Sequence, residues 1–186
     1  NKESREKISK QVSLITNNDL KLDLPQTSAD LLTYASGVRV QKSQGGGGSP
    51  IIRGFEANRV LLVIDGVRMN NAIYRSGHLQ NSITVNPNSL ERTEVIYGPS
   101  SVGYGSDALG GVVHFYTKTP KINNSKKWLT SGISSYNSRL NNFVQNIDVE
   151  HSTSKWASYT NLSFSKFGDI IMAVSYTHLT LPTSVT

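Results

Sequence analysis

Residues 90–113 read LERTEVIYGPSSVGYGSDALGGVV. A short helical turn at Ser89 leads into a strand over Thr93–Tyr97, where threonine, valine, isoleucine and tyrosine favour the pleated conformation. Gly98-Pro99 then breaks the ladder, because proline has no N–H to donate and glycine accepts positive φ. Four more glycines follow at 103, 105, 110 and 111, and Gly110–Thr117 reads as a second strand closed by Pro120. Glycines at this density suggest a phosphate cradle, but no Gly-Lys-Ser/Thr follows them. The stretch is therefore read as two strands joined by a turn-rich connection.

Working outward, Arg59-Val60-Leu61-Leu62-Val63-Ile64 is an apolar run suited to a strand buried on both faces. Asp65-Gly66 after it is a strong hairpin signal, and Val67-Arg68-Met69 returns. Residues 8–16 (ISKQVSLIT) read as a short strand with Val12, Leu14 and Thr16 on one face. Ser28–Gly37 reads as a helix with Ser28 as N-cap, Asp30 in the first turn and Gly37 as the left-handed C′ residue. Its Leu31, Leu32 and Ala35 face a core. Val38–Gln41 is extended, and so is Ile51-Ile52-Arg53-Gly54. Between them QGGGGSP (44–50) resembles an engineered tether, a phosphate loop or a loop inside one domain, and the missing lysine again removes the second. Short helices and strands without a repeat make residues 1–120 an α+β domain.

After Pro120 the texture changes to alternation. Phe143, Ile147 and Val149 share one face, with Asn146, Asp148 and Glu150 on the other. In the next run Trp156, Leu162 and Phe164 fall together, and Trp128–Tyr136 alternates least. Each run is about as long as the 9–11 residues that cross a bilayer as a tilted strand, and an ordinary antiparallel meander is the alternative.

Composition excludes several classes. The net charge is +6, but 13 basic against 10 acidic residues lie in 1–120 and 6 against 3 in 121–186, so no basic block marks a nucleic-acid face. There is no cysteine, which removes disulfides, thiolate metal sites and a cysteine nucleophile. No 18-residue apolar run is present, and the charged opening Asn1–Lys7 does not read as a signal peptide. The histidines at 78, 114, 151 and 178 are dispersed, with no His-Glu-x-x-His and no Gly-x-Ser-x-Gly. No catalytic constellation and no catalytic cofactor are expected.

Three segments together, Pro50–Phe55 (PIIRGF), Val60–Arg68 (VLLVIDGVR) and Leu90–Val113, closely resemble the plug domain of TonB-dependent outer-membrane receptors. Order and spacing match over roughly residues 8–120. The resemblance implies an α+β plug domain followed by the truncated start of an antiparallel transmembrane β-barrel, in the outer membrane of a Gram-negative bacterium. It divides the chain into a plug over 1–120 and first barrel strands over 121–173. It also makes QGGGGSP a plug loop on the ligand side rather than a seam, since matching segments flank it. Arg53, Glu91, Arg92 and Glu94 become plug–barrel charge contacts. Gly54, Asp65, Gly66, Gly98, Pro99, Tyr104 and Gly105 become turn and packing residues.

The family imports scarce nutrients with energy from TonB. Tyr74-Arg75-Ser76-Gly77-His78-Leu79-Gln80 lies where the family places an apical plug loop, and it resembles haem receptors whose plug histidine is an axial iron ligand. His78 is chemically suited to that role, with Tyr74 and Arg75 beside the porphyrin, and a hydrogen-bonding loop residue is the other reading. Haem or a ferric siderophore is thus the expected cargo, and TonB, outer-membrane lipid and a haem-carrying protein are the expected partners. A non-transporting outer-membrane binding or surface receptor is the alternative. The TonB box is not visible, so a segment is expected upstream of Asn1. VSYTHLTLPT (174–183) departs abruptly from the receptor pattern and resembles a translated sequencing-library adapter, so residues 174–186 are expected to be foreign to the protein.

Overall fold

The computed structural model describes residues 12–16, 19, 25–44, 47–55, 59–69, 85–98, 103–104, 108–123, 127–138 and 141–168. Tyr74, Arg75, His78, Pro99, Gly105 and the segment 174–186 lie outside the described residues.

The apolar run forms β4 (Val60–Ile64), which pairs in parallel with β7 (Gly111–Thr117). On its other side β7 pairs antiparallel with β6 (Leu90–Tyr97), which in turn pairs with β1 (Val12–Thr16). Together with β5 (Val67–Arg68) they make a sheet in the order β1-β6-β7-β4-β5. Both faces of this sheet are covered near its centre, which is why β4 carries no alternation. One face buries Ile15, Val60, Leu62, Val95, Val113 and Phe115 under α1 (Ser28–Leu32) and a hairpin. The other holds a smaller cluster of Leu61, Val63, Ile96, Ala108 and Val112, with Val12 and Tyr104 against it. In β1 the most buried residue is therefore Ile15, on the face opposite Val12 and Leu14.

The helix cap lies one residue earlier than the cap assigned from sequence. Thr27, not Ser28, is the N-cap: its Oγ1 accepts from the Asp30 N–H at 3.1 Å, and the Asp30 carboxylate accepts from the Thr27 N–H at 3.1 Å. This reciprocal pair satisfies two otherwise orphaned groups. The helix also ends at Leu32 with Thr33 as C-cap, so Gly37 (φ 79°) belongs to the turn just before Val38 and is not the C′ residue. Leu31, Leu32 and Ala35 do enter the core.

Of the tether-like glycines, Gly47 and Gly48 lie in a strand. β2 (Val38–Gln44) pairs antiparallel with β3 (Gly47–Ile52), and a Cβ on Gly48 would sit 2.6 Å from Val40 Cγ1 and 3.0 Å from Ala29 Cβ. Here glycine is required because helix and strand close over it. Arg53 and Gly54 do not continue β3. Both have positive φ (51° and 83°), and Ile52 and Phe55 exchange backbone hydrogen bonds of 2.9 Å, which makes a tight I′-like turn. Asp65 (46°) and Gly66 (88°) turn β4 into β5 in the same way.

A second sheet, in the order β10-β9-β8, is an antiparallel meander of β8 (Lys127–Asn137), β9 (Asn142–Ser152) and β10 (Ala157–Lys166). Strands of 11, 11 and 10 residues are long enough to cross a bilayer.

Candidate functional site

The two sheets meet along the inner face of β9. Side chains two apart share a face of a strand, so Asn142, Val144, Asn146 and Asp148 form one row, and this row is buried. Asn142 Nδ2 donates to Gln26 Oε1 at 2.8 Å, just ahead of α1. Asn86, capping the 3₁₀ turn Pro87–Ser89, donates from Nδ2 to Asn146 Oδ1 and to Asn161 Oδ1, each at 2.8 Å. Lys118, one residue beyond β7, donates from Nζ to Asp148 Oδ2 at 3.0 Å. From Asn142 to Asp148 these contacts cover about 20 Å of strand. Beside them Glu91, Lys118, Pro120, Lys121, Glu150 and Tyr159 line a cavity of about 280 Å³.

The opposite face of the meander is apolar and open. Trp128, Tyr136, Ile147, Trp156, Leu162 and Phe164 are all exposed. The register sets Ile147 beside Leu162, and Phe143 beside Tyr136. At one end Trp128 and Trp156 pack on His151, with ring centroids 4.1 and 4.7 Å apart. At the other end sit Tyr136 and Phe143, eight residues along β8 from Trp128, or about 27 Å. Aromatic groups at this separation match the edges of the apolar band, about 25 Å tall, of an outer-membrane barrel. Among the described residues no helix is long and apolar enough to cross a membrane, which says nothing of strands.

Of the charged residues singled out from sequence, Glu91, Arg92 and Glu94 lie in the first sheet, on β6. Arg92 Nε donates to Glu94 Oε1 at 2.8 Å, and its guanidinium lies 3.7 Å over the Tyr116 ring. Tyr116 Oη donates to Glu94 Oε2 at 3.2 Å, and His114 stacks on Tyr116 at 4.0 Å with Tyr104 edge-on at 6.0 Å. Burial pushes the Tyr116 and Tyr104 hydroxyls up, with Glu94 adding to both. Burial pushes the His114 imidazole down, against the pull of Glu94 and Asp65. The neutral ring fits its contact, since Nε2 accepts the Gly66 N–H at 3.1 Å. For Arg92, burial works against the charged form, but the hydrogen bond and charge of Glu94 leave its pKa raised.

Arg53 sits 5.3 Å over the ring of Tyr97, whose hydroxyl donates to Ser36 O. Glu91 is exposed at the cavity in the seam. Gly54, Asp65 and Gly66 occupy the two tight turns, Gly98 (φ 71°) ends β6, and Tyr104 packs on the smaller cluster. The described partners of Arg92 and Glu94 are thus within the first sheet. Among the described residues, side-chain hydrogen bonds join the sheets from Gln26, Asn86 and Lys118 to Asn142, Asn146, Asp148 and Asn161. Sequence alternation marks Asn146 and Asp148 as one polar face, but nothing local indicates what covers it. Among the described residues no three His, Asp or Glu side chains are grouped to hold a metal ion.

A family model described as TonB-dependent Receptor Plug Domain matches residues 4–112, more than half of the chain. Among curated proteins, the chain is 38% identical over 107 residues to a vitamin B12 transporter BtuB of Vibrio vulnificus, covering 56% of this chain and 17% of that protein. It is 36% identical over 107 residues to a hemin receptor of Yersinia pestis, covering 57% and 15%. The chain therefore spans only about a sixth of the length of these relatives. Among solved structures, the ferric enterobactin receptor PfeA of Pseudomonas aeruginosa superposes with a TM-score of 0.67 at 21% identity, over 87% of this chain and 25% of the receptor. The siderophore receptor PirA of Acinetobacter baumannii superposes with a TM-score of 0.63 at 23% identity, over 84% and 24%. At these identities the superpositions establish the fold.

Proposed function

Because the chain belongs to the family of TonB-dependent receptor plug domains, we propose that it is the plug and first wall strands of an outer-membrane receptor that takes up a scarce iron-containing nutrient. Haem is the leading cargo and a ferric siderophore the second, with uptake driven by TonB. The observation that carries this reading is the continuity of the two sheets. A domain matched by the plug family runs directly into 10- and 11-residue strands that turn polar side chains toward it and apolar ones away. That is the side-chain arrangement of a barrel wall around a filled lumen.

The preference for haem rests on Gly77-His78-Leu79-Gln80, with Tyr74 and Arg75 ahead of it, and is supported by the likeness to a hemin receptor. A neutral imidazole is a suitable axial ligand to haem iron. Relatives and structural neighbours named for vitamin B12 and ferric enterobactin keep the other cargo classes in view. The test uses the full-length receptor in outer-membrane preparations. His78→Ala is expected to weaken haem binding and shift the Soret band. An unchanged band and affinity would remove His78 from the site, and absence of the protein from the outer-membrane fraction would overturn the receptor reading itself.

A further inference from the structure

We propose that Trp128 and Trp156, with His151 between them and Lys127 and Lys155 beside them, form a site for the headgroup of an anionic phospholipid. The central residue is His151. It is only 5% exposed, yet neither Nδ1 nor Nε2 has a hydrogen-bond partner among the described residues. Buried polar nitrogens in this state are costly, and native proteins seldom keep two on one ring. His151 stands in the outward row of β9, opposite Trp128 on β8 and Ser158 on β10. An imidazole always has at least one N–H to donate, and a phosphate oxygen is a charged acceptor that strengthens such a bond.

The two indoles form a cover that can open. Trp128 is 65% exposed and Trp156 53% exposed, and their rings are tilted by 41° and 53° to the imidazole rather than stacked flat on it. Rotation of either indole outward uncovers the imidazole edge. An indole, with an apolar body and one N–H, suits the boundary between hydrocarbon and headgroups.

The charges have the matching sign. Lys127 precedes Trp128 and Lys155 precedes Trp156, both are exposed, and neither makes a salt bridge to another described residue. Thr153 fixes the turn that carries Lys155: its Oγ1 accepts from the Trp156 N–H at 3.1 Å, and its own N–H donates to Trp156 O at 2.8 Å. The turn is thus ordered before a ligand arrives. By alternation Asp148 and Glu150 lie on the face opposite His151, and the outward rows of all three strands hold no Asp or Glu. The connection beyond the site is only residues 153–156, too short to embrace an extended saccharide, so a glycerophosphate headgroup fits it better than a lipopolysaccharide.

The inference rests on reading the meander as a bilayer-facing wall, and the experiment separates the two. The full-length receptor, purified from outer membranes, is titrated with phosphatidylglycerol, with phosphatidylcholine of the same chains and with lipid A, and bound lipid is counted by native mass spectrometry. A lysine beside an anionic headgroup is worth roughly fivefold in affinity, and a hydrogen bond from the imidazole about as much. The double variant Lys127→Gln/Lys155→Gln is therefore expected to weaken phosphatidylglycerol binding by roughly 25-fold. His151→Phe, which keeps a ring between the indoles, should weaken it by about fivefold. The lysine change should leave phosphatidylcholine, whose headgroup has no net charge, nearly as it was. Equal affinity for the two phospholipids, unchanged affinity in either variant, or tighter binding of lipid A would overturn the site. Any of these in a receptor that fractionates with the outer membrane leaves the receptor reading standing, whereas a chain absent from that membrane removes both.

Discussion

Gly111→Ala should damage the plug far more than removing one hydrogen atom suggests. Gly111 opens β7 at φ 153°, in a region that residues with a Cβ rarely enter. Forcing a non-glycine residue into it costs about 1–3 kcal/mol. A Cβ there would also lie 2.9 Å from the carbonyl oxygen of Ile96 and 3.3 Å from two carbons of Ile52. The oxygen belongs to β6, which pairs with β7 along their length, so it cannot retreat without disturbing the ladder. Overpacking of this kind adds about 1–3 kcal/mol, for a total of about 2–6 kcal/mol against a domain stability of about 5–15 kcal/mol. Gly37→Ala is the matched control, because Gly37 also has positive φ (79°) but nothing within 4 Å of its Cβ position; it should cost only about 1–2 kcal/mol. Residues 1–120 carry both core clusters. Urea unfolding of that segment, followed by far-UV circular dichroism, gives both numbers. Equal losses for the two variants would refute the argument, and an unfolded parent would refute the fold assigned to the segment.

Thr27→Ala should cost about 1–2 kcal/mol through loss of the cap, while Thr27→Ser keeps most of it; the urea midpoint should fall with an unchanged slope. His114 is held below the ordinary histidine value of 6.5, so the unfolded chain binds the proton more readily than the folded one. Stability from this group is therefore complete above that value, falls as pH drops below it, and levels off below the folded pKa. His114→Asn should flatten that part of the pH profile, and a profile identical to the parent's would show that the residue contributes nothing to it.

Much of the first sheet is legible because its signals are local. The apolar run Val60–Ile64 admits only a covered strand, and Asp65-Gly66 specifies its own turn. Where the reading misses, a neighbour distant in sequence decides. Arg53-Gly54 follows two isoleucines and reads as their continuation, yet it turns so that Phe55 can bond back to Ile52. The pairing of β2 with β3 is hidden because glycine has poor strand propensity, and only the approach of Ala29 and Val40 explains Gly48. The helix cap was within reach. An acidic residue three positions on selects Thr27 over Ser28, since Asp30 stands three residues after Thr27 and two after Ser28.

The second sheet poses a different problem, because its alternation is plain and its orientation is not. For a meander in water, burying apolar surface at about 25 cal/mol per Å² would turn Phe143, Ile147 and Val149 inward and leave Asn146 and Asp148 in solvent. The structure does the reverse. Asn146 and Asp148 are buried, while Ile147, Leu162 and Phe164 are exposed. Burying an amide or a carboxylate without partners would be prohibitive, so the inward row is tolerable only where another surface supplies donors and acceptors in register. Gln26, Asn86 and Lys118 supply them at Asn142, Asn146 and Asp148. The outward row makes sense only if the medium outside is hydrocarbon, since water would penalise every one of those side chains. The same alternation therefore encodes two surroundings at once, a lipid bilayer outside and a polar plug inside.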